Sequence, residues 1–262
     1  RQGHRGARQG RIDAEDGGAA DDHGHRPRQD LSRASTPGAA DPAASRPAYA
    51  DPAAAKLEAP AAARNAGPIA AALAELLAEA PVGPVLEVGA GTGQHAVACA
   101  RALPGRVWRP TDPDPLHRGS IAAWAAEMRA PARPPLDLDA AGDWAAMPEV
   151  RALGPLDAVV AMNVIHIAPL AVAQGILKGA GQALAPGGLC VFAGPFKVAG
   201  AHIGAGNATF DANLRAENPD WGLRDALEIQ AMGADHGLDF AALIAMPANN
   251  RLLILRKDEA PV

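Results

Sequence analysis

The chain has 262 residues, 48% of them hydrophobic, which is enough for one α/β domain with a sizeable core and some additional sequence. Its formal net charge of −5 gives no general attraction to nucleic acid or to an anionic membrane. The two cysteines, Cys99 and Cys190, lack paired-ligand spacing, so we predict no metal site and no disulfide framework, and we expect a reducing, cytoplasmic setting. No apolar run reaches the ~18–20 residues that span a bilayer.

Residues 1–55 differ in composition from the rest of the chain. Arginines balanced by scattered acidic residues dominate, and Ile12, Leu31 and Tyr49 are nearly the only large apolar side chains. Such a stretch buries too little surface to offset the entropy lost on ordering it. We therefore expect a disordered or loosely attached tail, followed by one folded domain over residues 56–262.

Helical periodicity and short apolar strands then alternate along the chain. An amphipathic helix is predicted near Ile69, with Pro68 in its first turn. The predicted strands are 85–88, 106–111, 135–138, 156–162, 189–193, 240–245 and 252–255. The later predicted helices are 93–103, 116–128, 170–184, 207–216 and 223–236. This alternation predicts an α/β fold with a mostly parallel sheet and helices on both faces.

The last two predicted strands are joined by a short connection, residues 246–250. It is too short for a right-handed crossover, so the last strand should run antiparallel to the others. The strand before it should be parallel to the earlier strands, which places this turn at the ligand-binding edge of the sheet. Asn249 and Asn250 can hydrogen-bond a small acceptor there, or serve the turn alone, since Asn tolerates left-handed backbone angles.

A glycine-rich segment, Glu87-Val-Gly89-Ala-Gly91-Thr-Gly93, follows the first predicted strand. Its glycines allow a sharp turn and the close approach of a ligand. Asp112 lies 19 residues after Gly93, at the end of the second predicted strand, where a carboxylate can accept hydrogen bonds from both ribose hydroxyls of an adenosine. The pattern predicts an adenosine-containing cofactor; a tight turn without a ligand is the alternative.

The acidic residue beside this loop bears on which cofactor binds. A carboxylate at Glu87 would repel a pyrophosphate, but it suits a ligand that carries an ammonium and a sulfonium. The spacing also departs from the Gly-x-Gly-x-x-Gly fingerprint of dinucleotide sites. Both points favour S-adenosyl-L-methionine over a nicotinamide cofactor.

The segment from Glu87 to Gly93 resembles the first motif of class I S-adenosylmethionine-dependent methyltransferases. Further segments extend the resemblance to the poorly characterised family that includes methyltransferase-like protein 26, over about residues 57–256. These segments are 59–65, 91–95, 111–115, 120–124, 163–167, 194–196, 210–215, 221–225 and 246–250. The resemblance implies a Rossmann-like, seven-stranded sheet whose last strand is antiparallel, with S-adenosylmethionine as the cofactor.

The resemblance also implies where each part of the cofactor lies. It implies that the methionine end lies around Glu87 and the loop glycines, the ribose at Asp112, and the adenine near Leu138 and Asp139. The predicted cofactor-binding residues are Glu87, Gly89, Ala90, Gly91, Gly93, His95, Asp112, Leu138, Asp139 and Asn163. His95 has a second interpretation, as a histidine that only packs in the loop.

Methyl transfer requires an acceptor nucleophile held in line with the methyl group, and a base only where the acceptor must lose a proton. Asn163 and His166 follow the fourth predicted strand and are the candidate catalytic residues. His166 either acts as this base or packs at the strand end, while Asn163 contacts the cofactor or orients the acceptor. The candidate acceptor-binding residues are Asn65, just ahead of the first predicted helix, Phe196, Asn249 and Asn250. His117 and His202 are predicted to be surface residues.

The predicted activity is methyl transfer to a small-molecule or protein acceptor. Nucleic-acid bases are disfavoured, because no Asn/Asp-Pro-Pro-aromatic motif follows the fourth strand and no basic module is present. Two alternatives remain: a non-catalytic S-adenosylmethionine-binding protein that acts through partners, and a nicotinamide-dependent oxidoreductase.

Overall fold

The computed structural model describes residues 56–78, 80 and 82–259. The tail predicted for residues 1–55 lies outside the described residues. No helix within the described ranges is long and apolar enough to cross a membrane.

The described residues form a mixed α/β domain. Its strands are β1 (Val85–Val88), β2 (Trp108–Thr111), β3 (Leu156–Met162), β4 (Leu184–Pro195), β5 (Lys197–Val198), β6 (Ala201–His202), β7 (Leu238–Ala245) and β8 (Asn250–Lys257). Its α-helices are α1 (Pro60–Leu76), α2 (Gln94–Ala102), α3 (Pro115–Glu127), α4 (Pro148–Arg151), α5 (Leu170–Ala183), α6 (Ala205–Glu217) and α7 (Ala226–Ala234). Short 3₁₀ turns span Trp144–Ala146 and Pro247–Asn249.

Within the described chain, a six-stranded sheet has the order β2-β1-β3-β4-β8-β7, and β5 and β6 form a separate hairpin. The strands β1 to β4 pair in parallel, while β8 is antiparallel to both β4 and β7. The predicted antiparallel last strand is therefore confirmed. One apolar core, with side chains such as Leu73 and Ile121, packs α1, α2 and α3 on one face, and a second, with Ile176 and Ile229, packs α5 and α7 on the other.

The prediction of a third strand at residues 135–138 was wrong. Residues 132–136 make only isolated parallel bridges to β2, from Ala132 to Trp108 and from Leu136 to Thr111. Pro134 and Pro135 lack N–H donors, so this segment cannot build a continuous ladder. The sheet described here has six strands rather than the seven that the resemblance implied.

The first helix also differs from the prediction, because it begins at Pro60 and carries Pro68 in its interior. A proline at the first helical position costs no hydrogen bond, since that N–H has no partner within the helix. Pro68 removes one interior hydrogen bond. Burial of the apolar face compensates for that loss, through Ala62, Ala66, Ile69, Ala70 and Leu73. Asn65 consequently lies within α1 and not ahead of the first helix.

The topology brings the chain segments that follow β1, β2, β3, β4 and β7 to one edge of the sheet. Because β7 and β4 are both antiparallel to β8, they are parallel to each other, as predicted for the strand before the last. Asn250 pairs with Pro195 at the end of β4. The turn formed by residues 246–250 therefore lies at the edge where the glycine-rich loop lies.

Candidate active site

The loop between β1 and α2 has a backbone that only glycine adopts readily. Gly89, Gly91 and Gly93 have φ angles of 69°, 56° and 91°. A Cβ at Gly89 would lie 2.8 Å from Val164 Cγ2, and one at Gly93 would lie 2.7 Å from Ile121 Cα. At Gly91, by contrast, a Cβ would meet no atom within 4 Å. Gly89 and Gly93 are thus needed for packing, whereas Gly91 turns its backbone toward open space.

Asp112 follows β2 directly, and its buried carboxylate supports the loop. Gly91 N donates to Asp112 Oδ2 at 2.8 Å, and Asp114 N donates to Oδ1 at 2.9 Å. The Nδ1 atom of His117 lies 3.1 Å from Oδ1, so this partly buried histidine belongs to the site and not to the open surface. A carboxylate offers about four acceptor positions, so Asp112 retains one position, at Oδ2, for a hydroxyl of a ribose.

Glu87 points into the protein interior. Glu87 is 1% exposed, and Trp108 Nε1 donates a hydrogen bond to its Oε2 atom at 2.7 Å. Burial raises the pKa of Glu87 to about 8. The hydrogen bond from Trp108 lowers this pKa and the negative charge of Asp112 raises it, but both effects are smaller than that of burial. The acid is therefore mostly protonated at pH 7. The repulsion of a pyrophosphate inferred from the sequence is correspondingly weak.

His95 lies in the first turn of α2 and is buried. Burial lowers its pKa to about 4, so the imidazole is neutral at pH 7. Its Nε2 atom has no hydrogen-bond partner among the described residues. An unpartnered buried nitrogen is costly, and here it lies next to a loop whose Gly91 is open to a ligand. The glycine-lined loop and the Asp112 carboxylate beside it fit S-adenosylmethionine, which offers ribose hydroxyls and a positively charged sulfur.

The residues predicted near the adenine follow the short bridge to β2. Asp112 N donates to Leu136 O at 3.1 Å, which places this segment beside the ribose candidate. Leu138 is part of the hydrophobic core. Asp139 is exposed, and its Oδ1 atom accepts a hydrogen bond from Ala141 N at 2.9 Å. The structure thus gives Leu138 a packing role and Asp139 a turn-stabilising role.

The turn after β3 brings Asn163 and His166 together near the end of β4. Asn163 has a φ angle of 58°, and its N–H donates to Ala193 O at 2.8 Å. A Cβ placed on Gly194 would lie 3.3 Å from Asn163 Oδ1 and 3.3 Å from His166 Cε1. The two candidate catalytic side chains therefore converge on Gly194, where a larger residue would displace them.

His166 is buried, and its ring packs edge-on against Phe210 of α6, with centroids 5.7 Å apart and planes at 69°. Burial, followed by the positive charge of Arg224, lowers the pKa of His166 to about 4. The imidazole is therefore unprotonated at pH 7.

A model of the family described as protein of unknown function (DUF938) matches residues 56–257. The chain belongs to this family. Among solved structures, the DUF938 protein is similar to TnmH, with 23% identity over 76% of this chain and 56% of that one, and a TM-score of 0.60. It is also similar to the mitomycin 7-O-methyltransferase MmcR, with 17% identity over 75% of this chain and 54% of that one, and a TM-score of 0.61.

A third similar structure is magnesium protoporphyrin IX methyltransferase (ChlM) from Synechocystis PCC 6803 with bound SAH. It is 16% identical over 72% of this chain and 82% of that one, with a TM-score of 0.54. The DUF938 protein spans little more than half the length of TnmH and MmcR. At these identities the similarity shows a shared fold, the Rossmann-like class I methyltransferase fold that the sequence predicted.

The structure separates the four candidate acceptor residues of the DUF938 protein. Asn65 and Asn250 line one small cleft between α1 and the 246–250 turn, and Gly194 forms part of its wall. Asn249 is exposed, has a φ angle of 59°, and accepts a hydrogen bond at its carbonyl from Asn207 of α6 at 3.3 Å. Phe196 is 1% exposed within the core, so it presents no surface to an acceptor.

Residues 56–59, which we call the strap, contribute contacts that sequence reasoning missed. Ser120 Oγ donates to Thr92 O at 2.7 Å and accepts from Leu57 N at 2.7 Å. Ala59 N donates to Gln94 Oε1 at 2.8 Å. The strap thereby connects α3 with the start of α2, and Ser120 connects α3 with the glycine-rich loop. The available signal was the presence of these polar residues inside the segments that carried the family resemblance.

Proposed function

We propose that this DUF938 protein is an S-adenosylmethionine-dependent methyltransferase with a small-molecule acceptor. One observation carries the proposal: the glycine-rich loop is open at Gly91, and Asp112, directly after the adjacent strand β2, holds the loop while retaining an acceptor position for a ribose hydroxyl. The similar structures lend support, since two of them are named for methyl transfer to mitomycin and to magnesium protoporphyrin IX. A protein acceptor is the alternative that product analysis distinguishes.

S-adenosylmethionine supplies a methyl group that is already activated on a sulfonium. We assign its binding to the loop residues Gly89, Ala90, Gly91 and Gly93 together with Asp112. Glu87 and His95, both uncharged at pH 7, lie beside the loop and need no counter-ion. The remaining task of the chain is to position the acceptor and exclude water, which can supply most of the acceleration.

We assign the handling of the acceptor to Asn163 and His166. Both side chains approach Gly194, and the unprotonated imidazole can take a proton from an acceptor hydroxyl or amine. With a pKa of about 4, His166 is a weak base, which suits an acceptor that loses its proton only as the new bond forms. The Asn163 amide can orient such an acceptor by donating or accepting a hydrogen bond.

Calorimetry with S-adenosylhomocysteine and with NAD tests the cofactor assignment. We expect the wild type to bind S-adenosylhomocysteine and not NAD. Asp112→Asn should weaken this binding about ten- to a hundredfold, because a charge-assisted acceptor for the ribose is lost. Asp143→Asn is the matched control, since its exposed carboxylate pairs with Lys178 of α5 and should leave the affinity unchanged. Binding of NAD alone, or an unaffected Asp112→Asn variant, would overturn the assignment.

Incubation of extracts with methyl-labelled S-adenosylmethionine tests catalysis and identifies the acceptor class. We expect label in a small-molecule product, and we expect His166→Ala and Asn163→Ala to lose turnover while they keep their affinity for S-adenosylhomocysteine. A wild type that binds the cofactor but labels nothing would indicate a non-catalytic binding protein. Label in protein would replace the proposed acceptor class.

A further inference from the structure

The direction of the His166 ring depends on its packing and on the backbone of the turn that carries it. Among the described residues, its imidazole packs edge-on against Phe210 and has no hydrogen-bond partner. Because no hydrogen bond holds the ring, the backbone of residues 165–168 contributes, together with packing, to its direction beside Gly194.

One guanidinium brackets that turn. Arg224 Nε donates to Ile165 O at 3.0 Å, and Arg224 Nη2 donates to Ala168 O at 2.6 Å. These two carbonyls lie on either side of His166 in the chain. Gly222 N adds a hydrogen bond to His166 O itself at 2.9 Å. The planar fork of an arginine presents its donors in fixed directions, which a lysine ammonium cannot do.

The segment that carries Arg224 is itself anchored at two points. Lys197 N in β5 donates to Arg224 O at 2.9 Å. Leu223 N donates to Asp211 Oδ1 at 2.7 Å, and Asp211 also pairs with His202 Nε2 at 2.8 Å. His202, predicted as a surface residue, is thus part of this anchor. The chain of contacts runs from α6 and β5, through Arg224, to the turn that carries His166.

The charged groups near His166 are Arg224 and the groups that surround Arg224. Arg224 is the charge that acts on His166, in addition to burial. The charged groups around Arg224 are Arg215, Asp211, Glu228 and Asp220. Arg215 lies one helical turn from Asp211 on α6, and its Nε donates to Asp211 Oδ1 at 3.1 Å. Arg215 is thus part of the anchor, so the control arginine is Arg151, which is exposed on α4 and carries the same charge.

We propose that Arg224 is a positioning residue of the active site: by holding the carbonyls of Ile165 and Ala168, it fixes the direction of the His166 imidazole beside Asn163 and Gly194. This inference rests on the proposed function, in which His166 takes the proton of the acceptor. Arg224 itself touches neither reacting atom.

The test is an NMR titration of ring-labelled histidines, with His166 identified by the signal lost in His166→Gln. In the wild type the pKa of His166 should be about 4. In Arg224→Lys and Arg224→Met it should rise by about one pH unit or more, because the released turn admits water to the ring. The His166 ring signal should also lose the displacement caused by the nearby Phe210 ring. Arg151→Gln should change neither property.

Arg224→Lys distinguishes two roles of Arg224, holding the backbone of the turn and supplying a positive charge. Lysine keeps the charge but cannot bridge the carbonyls of Ile165 and Ala168. If Arg224→Lys titrates like the wild type, or if Arg151→Gln shifts His166 equally, the proposal is wrong. Affinity for S-adenosylhomocysteine should be the same in Arg224→Lys and the wild type. A wild type that fails to bind S-adenosylhomocysteine would sink the proposed function, while the titration would still report on Arg224.

Discussion

Replacing Glu87 with glutamine tests whether the acid beneath the glycine-rich loop is neutral in the folded protein. Burial raises the pKa of Glu87 from its ordinary value of 4.5 to about 8. The unfolded chain loses this proton near pH 4.5, so the folded state holds one extra proton between pH 4.5 and about 8. The stability that the protonated acid contributes is therefore complete below pH 4.5 and is lost as the pH rises through 8.

The size of this loss of stability follows from the width of the pH range between 4.5 and about 8. Each pH unit costs about 1.4 kcal/mol, so the free energy of unfolding falls by roughly 3 kcal/mol at pH 7 and by roughly 5 kcal/mol above pH 8. That is a large part of a typical stability of ~5–15 kcal/mol. Glutamine does not ionise, and its amide oxygen can still accept the hydrogen bond from Trp108. Glu87→Gln should match the wild type near pH 5 and exceed its stability increasingly above that.

The assay is urea unfolding of both proteins at about pH 5, 7 and 8.5, with the difference in unfolding free energy followed against pH. Contributions from other titrating groups cancel in this difference. Glu75→Gln is the matched control for the removal of a carboxylate, because Glu75 is exposed on α1. A flat difference for Glu87→Gln across this range would show that the folded protein holds Glu87 ionised, and the reasoning would be refuted.

Three further predictions concern the same site. Burial lowers the pKa of His95 and of His166 from 6.5 to about 4, so their contribution to stability is present above pH 6.5 and is lost as the pH falls toward 4. Combined with the opposite trend of Glu87, this predicts maximal stability near pH 6.5 in thermal melts, and a maximum at pH 8 or above would contradict it. Gly93→Ala should destabilise the fold by about 2 kcal/mol or more in urea unfolding, because its Cβ would meet α3 backbone at 2.7 Å. Gly91→Ala should cost only about 1 kcal/mol of stability yet weaken S-adenosylhomocysteine binding about tenfold or more in calorimetry, and unchanged binding would show that the cofactor does not approach at Gly91.

The features of the fold that depend on local pattern could be predicted from the sequence. β3 has the predicted bounds, because a continuous apolar run between turn residues admits few other structures. The antiparallel last strand followed from the length of one connection. The predictions of the first helix and of the third strand were wrong because prolines were misjudged: the helix begins at Pro60 and not near Pro68, and Pro134 and Pro135 prevent a ladder.

The site could be predicted only in outline, for a physical reason. A position that requires glycine can be recognised from a short stretch of sequence, and Gly89, Gly91 and Gly93 all have positive φ angles. Side-chain pairing and protonation depend on residues far apart in the chain and on burial, which the sequence does not display. The hydrogen bond from Trp108 to Glu87, the contact of His117 with Asp112 and the arginine at the His166 turn all belong to this second group.

The protonation of Glu87 changes the reason for the cofactor preference that we propose. The carboxylate that remains at the loop is Asp112, and its Oδ2 atom accepts the N–H of Gly91. Glycine-rich loops bind phosphates by turning such N–H groups toward the anion. A pyrophosphate would have to displace the Asp112 carboxylate from Gly91 and then remain beside it. A ligand that offers ribose hydroxyls and a positive charge can bind with this hydrogen bond intact, so the preference rests on a contact between neighbouring strands rather than on the acid within the motif.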